Sequence, residues 1–279
     1  MATTVEPSAP APTAVRARAA ISQRTLRNDR WWLNPAITAG VLLSFVVYAT
    51  WAAFQNADYF ARPLISPFYS PCIASVCESA RQGAQHGVHV PTVGIIGTWW
   101  SISPALWILI IPLTFRFSCY YYRKAYYRSI WMAPPACAVG EPHSKYTGET
   151  RLPLIMHNLH RYAFYAGLLL NMILTYDAVV AFRDTHDRWG HMSVGTLVLV
   201  VNAVLLWLYS LSCHSCRHIV GGRLKHFSKH PVRYKAWGIV SKLNQKHMQF
   251  AWVSLIFVGL ADAYVRLVAS GTIHNPYIF

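Results

Sequence analysis

The chain has 279 residues, of which 54% are hydrophobic and only 13% are charged. Soluble domains carry about 25% charged residues, so this composition excludes an ordinary soluble protein and predicts a membrane protein. Lys and Arg number 25 against 10 Asp and Glu, for a net charge of +15, and because they cluster between apolar stretches we interpret them as topology signals, with no nucleic acid as partner.

The N-terminal 30 residues are rich in Pro, Ala and Thr and then in Arg, and no apolar stretch precedes Trp31. This composition argues against a secretory signal segment. We therefore predict a disordered basic arm over residues 1–30, followed by a membrane domain over residues 31–279.

Five apolar stretches are long enough for a transmembrane helix, which needs about 20 mostly apolar residues. They cover about 36–54, 93–115, 157–182, 192–212 and 247–269. The segments between them are polar, basic or rich in proline, as expected of connections. The sequence therefore predicts an all-α polytopic membrane protein built as a bundle of five transmembrane helices.

The distribution of Lys and Arg predicts the orientation of this bundle. They are concentrated in the N-terminal arm, in the connection that begins at Arg116 and in the connection over 217–246. The other two connections contain only Arg62 and Arg81, and Arg183 and Arg188. The positive-inside rule then places the N-terminus inside and the C-terminus outside. A basic inner face also suits the docking of a soluble partner.

Asp177 and Asp262 lie within predicted spans, where ionisable side chains are costly and usually paired. Arg266 follows Asp262 by four residues and so lies on the same face of the helix, which predicts a structural ion pair. We predict the same kind of pair between Asp177 and Arg183.

Four potential metal ligands lie at one depth in the membrane. Cys119, His160, Cys213 and His247 belong to four different spans, and each is 20 to 24 residues from the outer end of its span. At about 1.5 Å of rise per helical residue, all four are within one or two helical turns of the same level, near the inner boundary. Their side chains can therefore converge.

Two thiolates and two imidazoles are the ligand set of a Rieske-type 2Fe-2S cluster, in which one iron takes two Cys and the other takes two His. The two histidines can instead hold a b-type haem between facing helices, and a Cys2His2 set also suits zinc. Taken singly, such residues are more often interfacial histidines and buried cysteines. Further candidates at the same level, as alternative ligands or as outer contacts, are Cys137, Cys216, His157, His214 and His218.

Cys72 and Cys77 lie in the predicted outer loop over 61–91. An oxidising compartment favours a disulfide between them, and two free thiols are the alternative.

Several segments resemble the membrane-anchor (cytochrome b-like) subunit of actinobacterial, mycobacterial-type succinate dehydrogenases, which are respiratory complex II. They are CYYYRKAYYR at 119–128, PPACAVGE at 134–141, HRY at 160–162, SCHSCRH at 212–218 and KHMQFAW at 246–252. The resemblance runs from about Trp31 to the C-terminus. It implies a bacterial cell-membrane protein whose partners are an iron-sulfur subunit and a flavoprotein subunit that oxidises succinate, with no residue of this chain handling succinate itself.

The resemblance also implies an electron path to a quinone, either menaquinone or ubiquinone. Many anchors with five spans hold two b-type haems through four helical histidines, but the first span here has no histidine. The branch that this chain resembles is associated with a membrane-embedded Rieske-type cluster, which implies that the ligands are the two cysteines and two histidines at 119, 213, 160 and 247.

The quinone is expected in an apolar cleft beside the cluster, where a few polar groups hold its carbonyl oxygens. Arg161 and Tyr162 follow a candidate ligand directly, as does Tyr120, and we predict these three as quinone contacts. The alternatives of a different class are a purely structural anchor and a transporter, although the spans show no repeated or matching broken helices.

Overall fold

The computed structural model describes residues 27–72, 103–140, 150–152 and 154–279. Its α-helices in these ranges are α1 (Leu33–Gln55), α2 (Pro104–Ile108), α3 (Ile110–Ser118), α4 (Tyr120–Ser129), α5 (His160–Val180), α6 (Val194–Leu211), α7 (His214–Gly221), α8 (Pro231–Asn244) and α9 (His247–Ala269). A 3-10 helix, Leu154–Leu159, leads into α5. Strands β1 (Phe60–Ala61) and β2 (Leu64–Ile65) pair as a short antiparallel hairpin.

Four helical segments are long and apolar enough to cross a membrane: α1, the 3-10 helix together with α5, α6 and α9. A bent pair, formed by α2 and α3 with α4, passes the same test as a fifth span broken by an angle of 76°. The predicted all-α membrane bundle is confirmed, and four of its five predicted spans agree closely with these helices. Most of the arm predicted at 1–30 lies outside the described residues.

The second predicted span, 93–115, differs most from the structure. Residues 93–102 lie outside the described part, and the helix continues past 115 to Ser118 before it breaks. The break is at Cys119, whose extended backbone (φ −65°, ψ 133°) ends α3 and begins α4. Arg116, which the charge count placed in a connection, is therefore inside a helix that packs against α5.

The helices form one packed bundle in which α9 contacts α6, α6 contacts α5, and α5 contacts α3, while α1 packs against α4 and α9. Because consecutive long helices run in opposite directions, α5 and α9 begin at the end where α6 finishes. We call this the cysteine-histidine end. The β-hairpin lies at the other end, the hairpin end, where Leu64 reaches Gly195 in the first turn of α6.

A buried ion pair organises the hairpin end. Nε of Arg266 donates to Oδ2 of Asp262 at 2.8 Å, which confirms the predicted pair. The hydroxyl of Tyr48 donates to the same carboxylate at 2.6 Å, and that of Ser66 donates to its other oxygen. Arg266 also donates to the carbonyl of Ala52 at 2.8 Å. One fully buried carboxylate thus joins α1, the hairpin segment and α9.

The predicted pair of Asp177 with Arg183 is wrong. Asp177 accepts a hydrogen bond from the hydroxyl of Ser70, whereas the guanidinium of Arg183 lies 4.2 Å from the ring centroid of Trp189. The reason is that α5 ends at Val180, so Arg183 is no longer on the helical face of Asp177. The chain expected to form an outer loop instead turns back into the bundle and supplies the partner.

Candidate metal centre

The cysteine-histidine end contains two close contacts between sulfur and imidazole nitrogen. Sγ of Cys119 is 3.5 Å from Nε2 of His247, and Sγ of Cys213 is 3.2 Å from Nε2 of His160. Both cysteines are 1% exposed and His247 is 2% exposed. The structure therefore brings the four residues singled out in the sequence into two cysteine-histidine pairs.

Aromatic rings connect these two pairs. Phe115 stacks on His160 with ring centroids 5.1 Å apart, and Tyr209 stacks on His247 at the same separation of 5.1 Å. The centroids of Phe115 and Tyr209 are themselves 5.2 Å apart. The two pairs thus belong to one buried, largely aromatic cluster and not to separate surface sites.

Helix ends position all four residues. His160 and His247 are the first residues of α5 and α9. Cys119 and Cys213 immediately precede α4 and α7, at the N-cap position, where Sγ of Cys213 accepts from the backbone N–H of Ser215 at 3.4 Å. The positive end of a helix favours a thiolate, which is the form of cysteine that binds metals.

Two serines orient the imidazoles crosswise. Oγ of Ser118 lies 2.8 Å from Nδ1 of His160, and Oγ of Ser212 lies 2.7 Å from Nδ1 of His247. Ser118 contacts His160 but precedes Cys119, which is paired with His247. Ser212 contacts His247 but precedes Cys213, which is paired with His160. Each histidine therefore contacts both Ser-Cys dipeptides. Linked in this way, neither histidine can shift without disturbing both chain segments.

The other hydrogen bonds of the same serines favour a proton on Nδ1 of each imidazole. The hydroxyl of Ser118 donates to the carbonyl of Thr114 at 2.7 Å, and that of Ser212 donates to the carbonyl of Tyr209 at 3.0 Å. A hydroxyl has one hydrogen to donate, and when the carbonyl takes it, the serine oxygen accepts from an Nδ1–H. Nε2 therefore keeps its lone pair on the side of the sulfurs, as metal ligation requires.

The other candidate ligands lie elsewhere or face outward. Cys137 is exposed, and its carbonyl contacts Arg27. Nε2 of His157 is 2.7 Å from the hydroxyl of Tyr126. Two further candidates, His214 and His218, have exposed side chains, and Cys216 is buried in α7 without being one of the two paired cysteines. Cys72 is disulfide-bonded, while Cys77 lies outside the described residues.

Burial has a chemical consequence for the thiol of Cys213. Desolvation raises its pKa to about 12, against the smaller opposing effect of the Ser215 hydrogen bond. A metal ion displaces such a proton because coordination stabilises the thiolate.

In the described part of the chain, no three or more His, Cys, Asp or Glu side chains surround one common point. A Rieske-type cluster takes two thiolates on one iron and two imidazoles on the other, so neither cysteine-histidine pair alone is the ligand set of one iron.

The three predicted quinone contacts have exposed side chains. Arg161 and Tyr120 are exposed, Tyr162 is 70% exposed, and Tyr120 lies beneath the guanidinium of Arg123. A cavity of about 400 Å³ instead lies between α4, α9 and the segment before α1. Its wall includes Tyr121, whose ring centroid is 5.4 Å from that of His247.

Arg116 and Tyr209 also lie at the site, and neither was predicted from the sequence. Cζ of Arg116 lies 4.7 Å from the ring centroid of Tyr209, on which His247 is stacked. The guanidinium also donates to Tyr122, to the carbonyl of Ala251 at 3.3 Å and to Ser254 at 3.2 Å. Their spacing from the cysteines is the sequence feature that could have identified them, since Arg116 precedes Cys119 by three residues and Tyr209 precedes Cys213 by four.

Comparisons with known proteins agree with one another. A family model described as actinobacterial succinate dehydrogenase subunit SdhC matches residues 33–271. A solved structure described as the Mycobacterium smegmatis Sdh1 complex in the apo form contains a chain that is 50% identical to this one. The match covers 95% of this chain and 97% of that chain, with a TM-score of 0.81. No curated protein matches the chain.

Proposed function

The chain belongs to the actinobacterial succinate dehydrogenase subunit SdhC family, and on that premise we propose that it passes electrons to a quinone through a Rieske-type 2Fe-2S cluster. The ligands in this proposal are Cys119, Cys213, His160 and His247. The observation that carries it is the approach of each histidine Nε2 to a buried cysteine sulfur, at 3.5 Å and 3.2 Å, at one end of the bundle. Two thiolates and two neutral imidazoles are the donor set of that cluster.

The geometry favours a cluster over the two other metal interpretations. A b-type haem between two histidines needs both Nε2 atoms to face each other across a porphyrin, whereas each here faces a sulfur within 3.5 Å. Zinc in a Cys2His2 site needs four ligands around one point. In the described residues no three such side chains surround one point, and each iron of the cluster would need only two protein ligands, two thiolates on one iron and two imidazoles on the other.

The residues of the chain have distinct tasks in this mechanism. The N-termini of α4 and α7 favour the thiolates of Cys119 and Cys213, and Ser118 and Ser212 hold the imidazoles in the ligating tautomer. A cluster held by these four residues would supply one-electron transfer. The surrounding aromatic rings exclude water from the site.

The basic connections support docking of the iron-sulfur subunit at the cysteine-histidine end. This end carries α7 and α8, and the segment between them contains Arg223, Lys225 and Lys229. By the positive-inside rule we place it at the cytoplasmic face, with the C-terminus outside. A soluble partner on this surface then lies close to the proposed cluster and completes the path from the flavoprotein.

The cavity of about 400 Å³ is our proposed location for the quinone. Its apolar wall includes Tyr121, Met248 and Trp252, and Lys124 and Arg128 offer donors for carbonyl oxygens. The ring of Tyr121 lies between the cavity and His247. Quinone pockets need this combination of apolar surface and a few polar groups.

Substitution Lys124→Gln should weaken quinone binding, because a hydrogen bond from a charged donor is worth about 1.5–3 kcal/mol. We expect the KM for quinone to rise roughly tenfold, with unchanged succinate oxidation by an artificial acceptor. Arg123→Gln is the matched control, since Arg123 lies next in sequence and stacks on Tyr120 outside the cavity. Equal KM values for the two variants would contradict this location.

Low-temperature EPR of the purified, reduced complex tests the cluster itself. We expect a rhombic signal of low average g, and a dithionite-reduced optical spectrum without haem bands. Cys213→Ala should remove the signal, while the matched variant Cys216→Ala, three residues further on, should keep it. Sharp haem b bands without the rhombic signal would instead assign His160 and His247 as axial haem ligands.

A further inference from the structure

Tyr209 lies between a cation and a candidate ligand. One face of its ring is 4.7 Å from Cζ of Arg116, and its centroid is 5.1 Å from that of His247 in a nearly parallel stack of 5°. The side chain is 2% exposed. It therefore belongs to the interior of the site and not to its rim.

The hydroxyl of Tyr209 is buried without a hydrogen-bond partner in the part of the chain that the structure describes. Buried hydroxyls almost always have a partner, so this one requires an explanation. The sulfur of Cys119 belongs to the same buried cluster, and it lies 3.5 Å from Nε2 of the His247 ring on which Tyr209 stacks. A neutral thiol is a weak acceptor, whereas a metal-bound thiolate is a strong one, so the hydroxyl gains a partner when Cys119 ligates iron.

Arg116 brings a positive charge to the same place. Its guanidinium donates to neutral acceptors, including the carbonyl of Ala251 and the hydroxyl of Ser254, and no acidic side chain in the described ranges pairs with it. An ionised group inside a membrane bundle without a counter-charge is costly. Such a charge interacts most strongly with a neighbour whose own charge becomes negative.

The proposed cluster is such a neighbour. Two ferric ions, two sulfides and two thiolates with neutral imidazoles have no net charge, and adding one electron makes the centre negative. A hydrogen bond to a ligating sulfur and a nearby cation both stabilise the reduced form relative to the oxidised form. Each therefore makes reduction more favourable.

We propose that Tyr209 and Arg116 are positioning residues that raise the reduction potential of the electron-transfer site, the first through a hydrogen bond to the Cys119 sulfur and the second through its charge. This inference rests on the proposed function. In this proposal Tyr209 and Arg116 help the site to accept electrons from succinate oxidation, because a higher reduction potential of the centre favours its reduction by the preceding electron carrier.

The test is a redox titration of the EPR signal in the intact complex. For Tyr209→Phe, which keeps the stacked ring and removes only the hydroxyl, we expect the ratio of reduced to oxidised centre at a fixed potential to fall about tenfold, or 59 mV for one electron. Arg116→Gln should lower the potential similarly. Arg116→Lys keeps the charge and should restore most of the wild-type value.

The outcomes separate the two proposals. An unchanged midpoint in Tyr209→Phe together with an intact signal would overturn the inference while leaving the cluster in place. If Arg116→Lys shifts the potential as much as Arg116→Gln, a role for the charge is refuted. The absence of any such signal from the wild-type complex would overturn this inference and the proposed function together. A failure of the Arg116 variants to assemble leaves Tyr209→Phe to decide.

Discussion

Replacing either His160 or His247 with Ala should abolish quinone reduction by the complex while succinate oxidation with an artificial acceptor persists. Each substitution removes an Nε2 that faces a candidate cysteine ligand, at 3.2 Å for His160 and 3.5 Å for His247. Loss of an outer contact to a metal site already costs 10–100-fold, so loss of a ligand should lower quinone reductase activity by at least about 100-fold. The two activities should be measured on the same purified sample.

His274→Ala is the matched control, because its imidazole is exposed near the opposite end of the chain's last helix. It should leave both activities unchanged. Full quinone reductase activity in the two site variants would refute the proposed electron path. Loss of both activities in a variant that still assembles would mean that these histidines serve the dehydrogenase reaction instead.

Substitution Asp262→Ala should destabilise the anchor by about 3–5 kcal/mol, the cost of leaving one charge of a buried pair uncompensated. Arg266 would keep its bonds to backbone carbonyls and lose the carboxylate at 2.8 Å. Tyr48 and Ser66 would lose their acceptor as well. Thermal unfolding of the purified complex should therefore show a much lower midpoint.

Two comparisons show whether charge burial is the cause. The double variant Asp262→Leu with Arg266→Met should recover much of the lost stability, because an apolar pair in place of a buried ion pair is often neutral. Asp187→Ala breaks the more exposed pair with Arg62, in which Asp187 is 44% exposed, and should cost about 0–1 kcal/mol. Equal losses for Asp262→Ala and Asp187→Ala would contradict this explanation.

The sequence predicted the level of the site well because rise per residue is nearly constant in a helix. Counting from the span ends therefore predicted that Cys119, Cys213, His160 and His247 approach one another, and the structure confirms their contacts. The span that breaks this regularity was harder to predict. The composition around Cys119 does not predict the bend there. The bend depends on how this segment packs against neighbouring helices.

The exposure of the predicted quinone contacts has a geometric reason. Successive residues of a helix are about 100° apart around its axis. Arg161 and Tyr162 adjoin His160 in sequence, so they turn away from the interior that His160 faces, and both side chains are exposed. Adjacency in the sequence predicts the depth of a residue in the membrane but not the direction in which its side chain points. The contribution of Lys124 and Trp252 to the cavity was identifiable only from the packed helices.

The bend of 76° at Cys119 affects how far the cysteine-histidine end is shielded from solvent. A straight continuation would have carried the aromatic residues that follow Cys119 out of the bundle. The turn instead lays α4 across the end of the bundle, where Tyr122 is buried and Tyr121 covers the edge of His247. At this position α4 would shield the proposed cluster from bulk solvent and dioxygen. Side reactions of a bound cluster with dissolved oxidants would then be slowed by the same tyrosine rings.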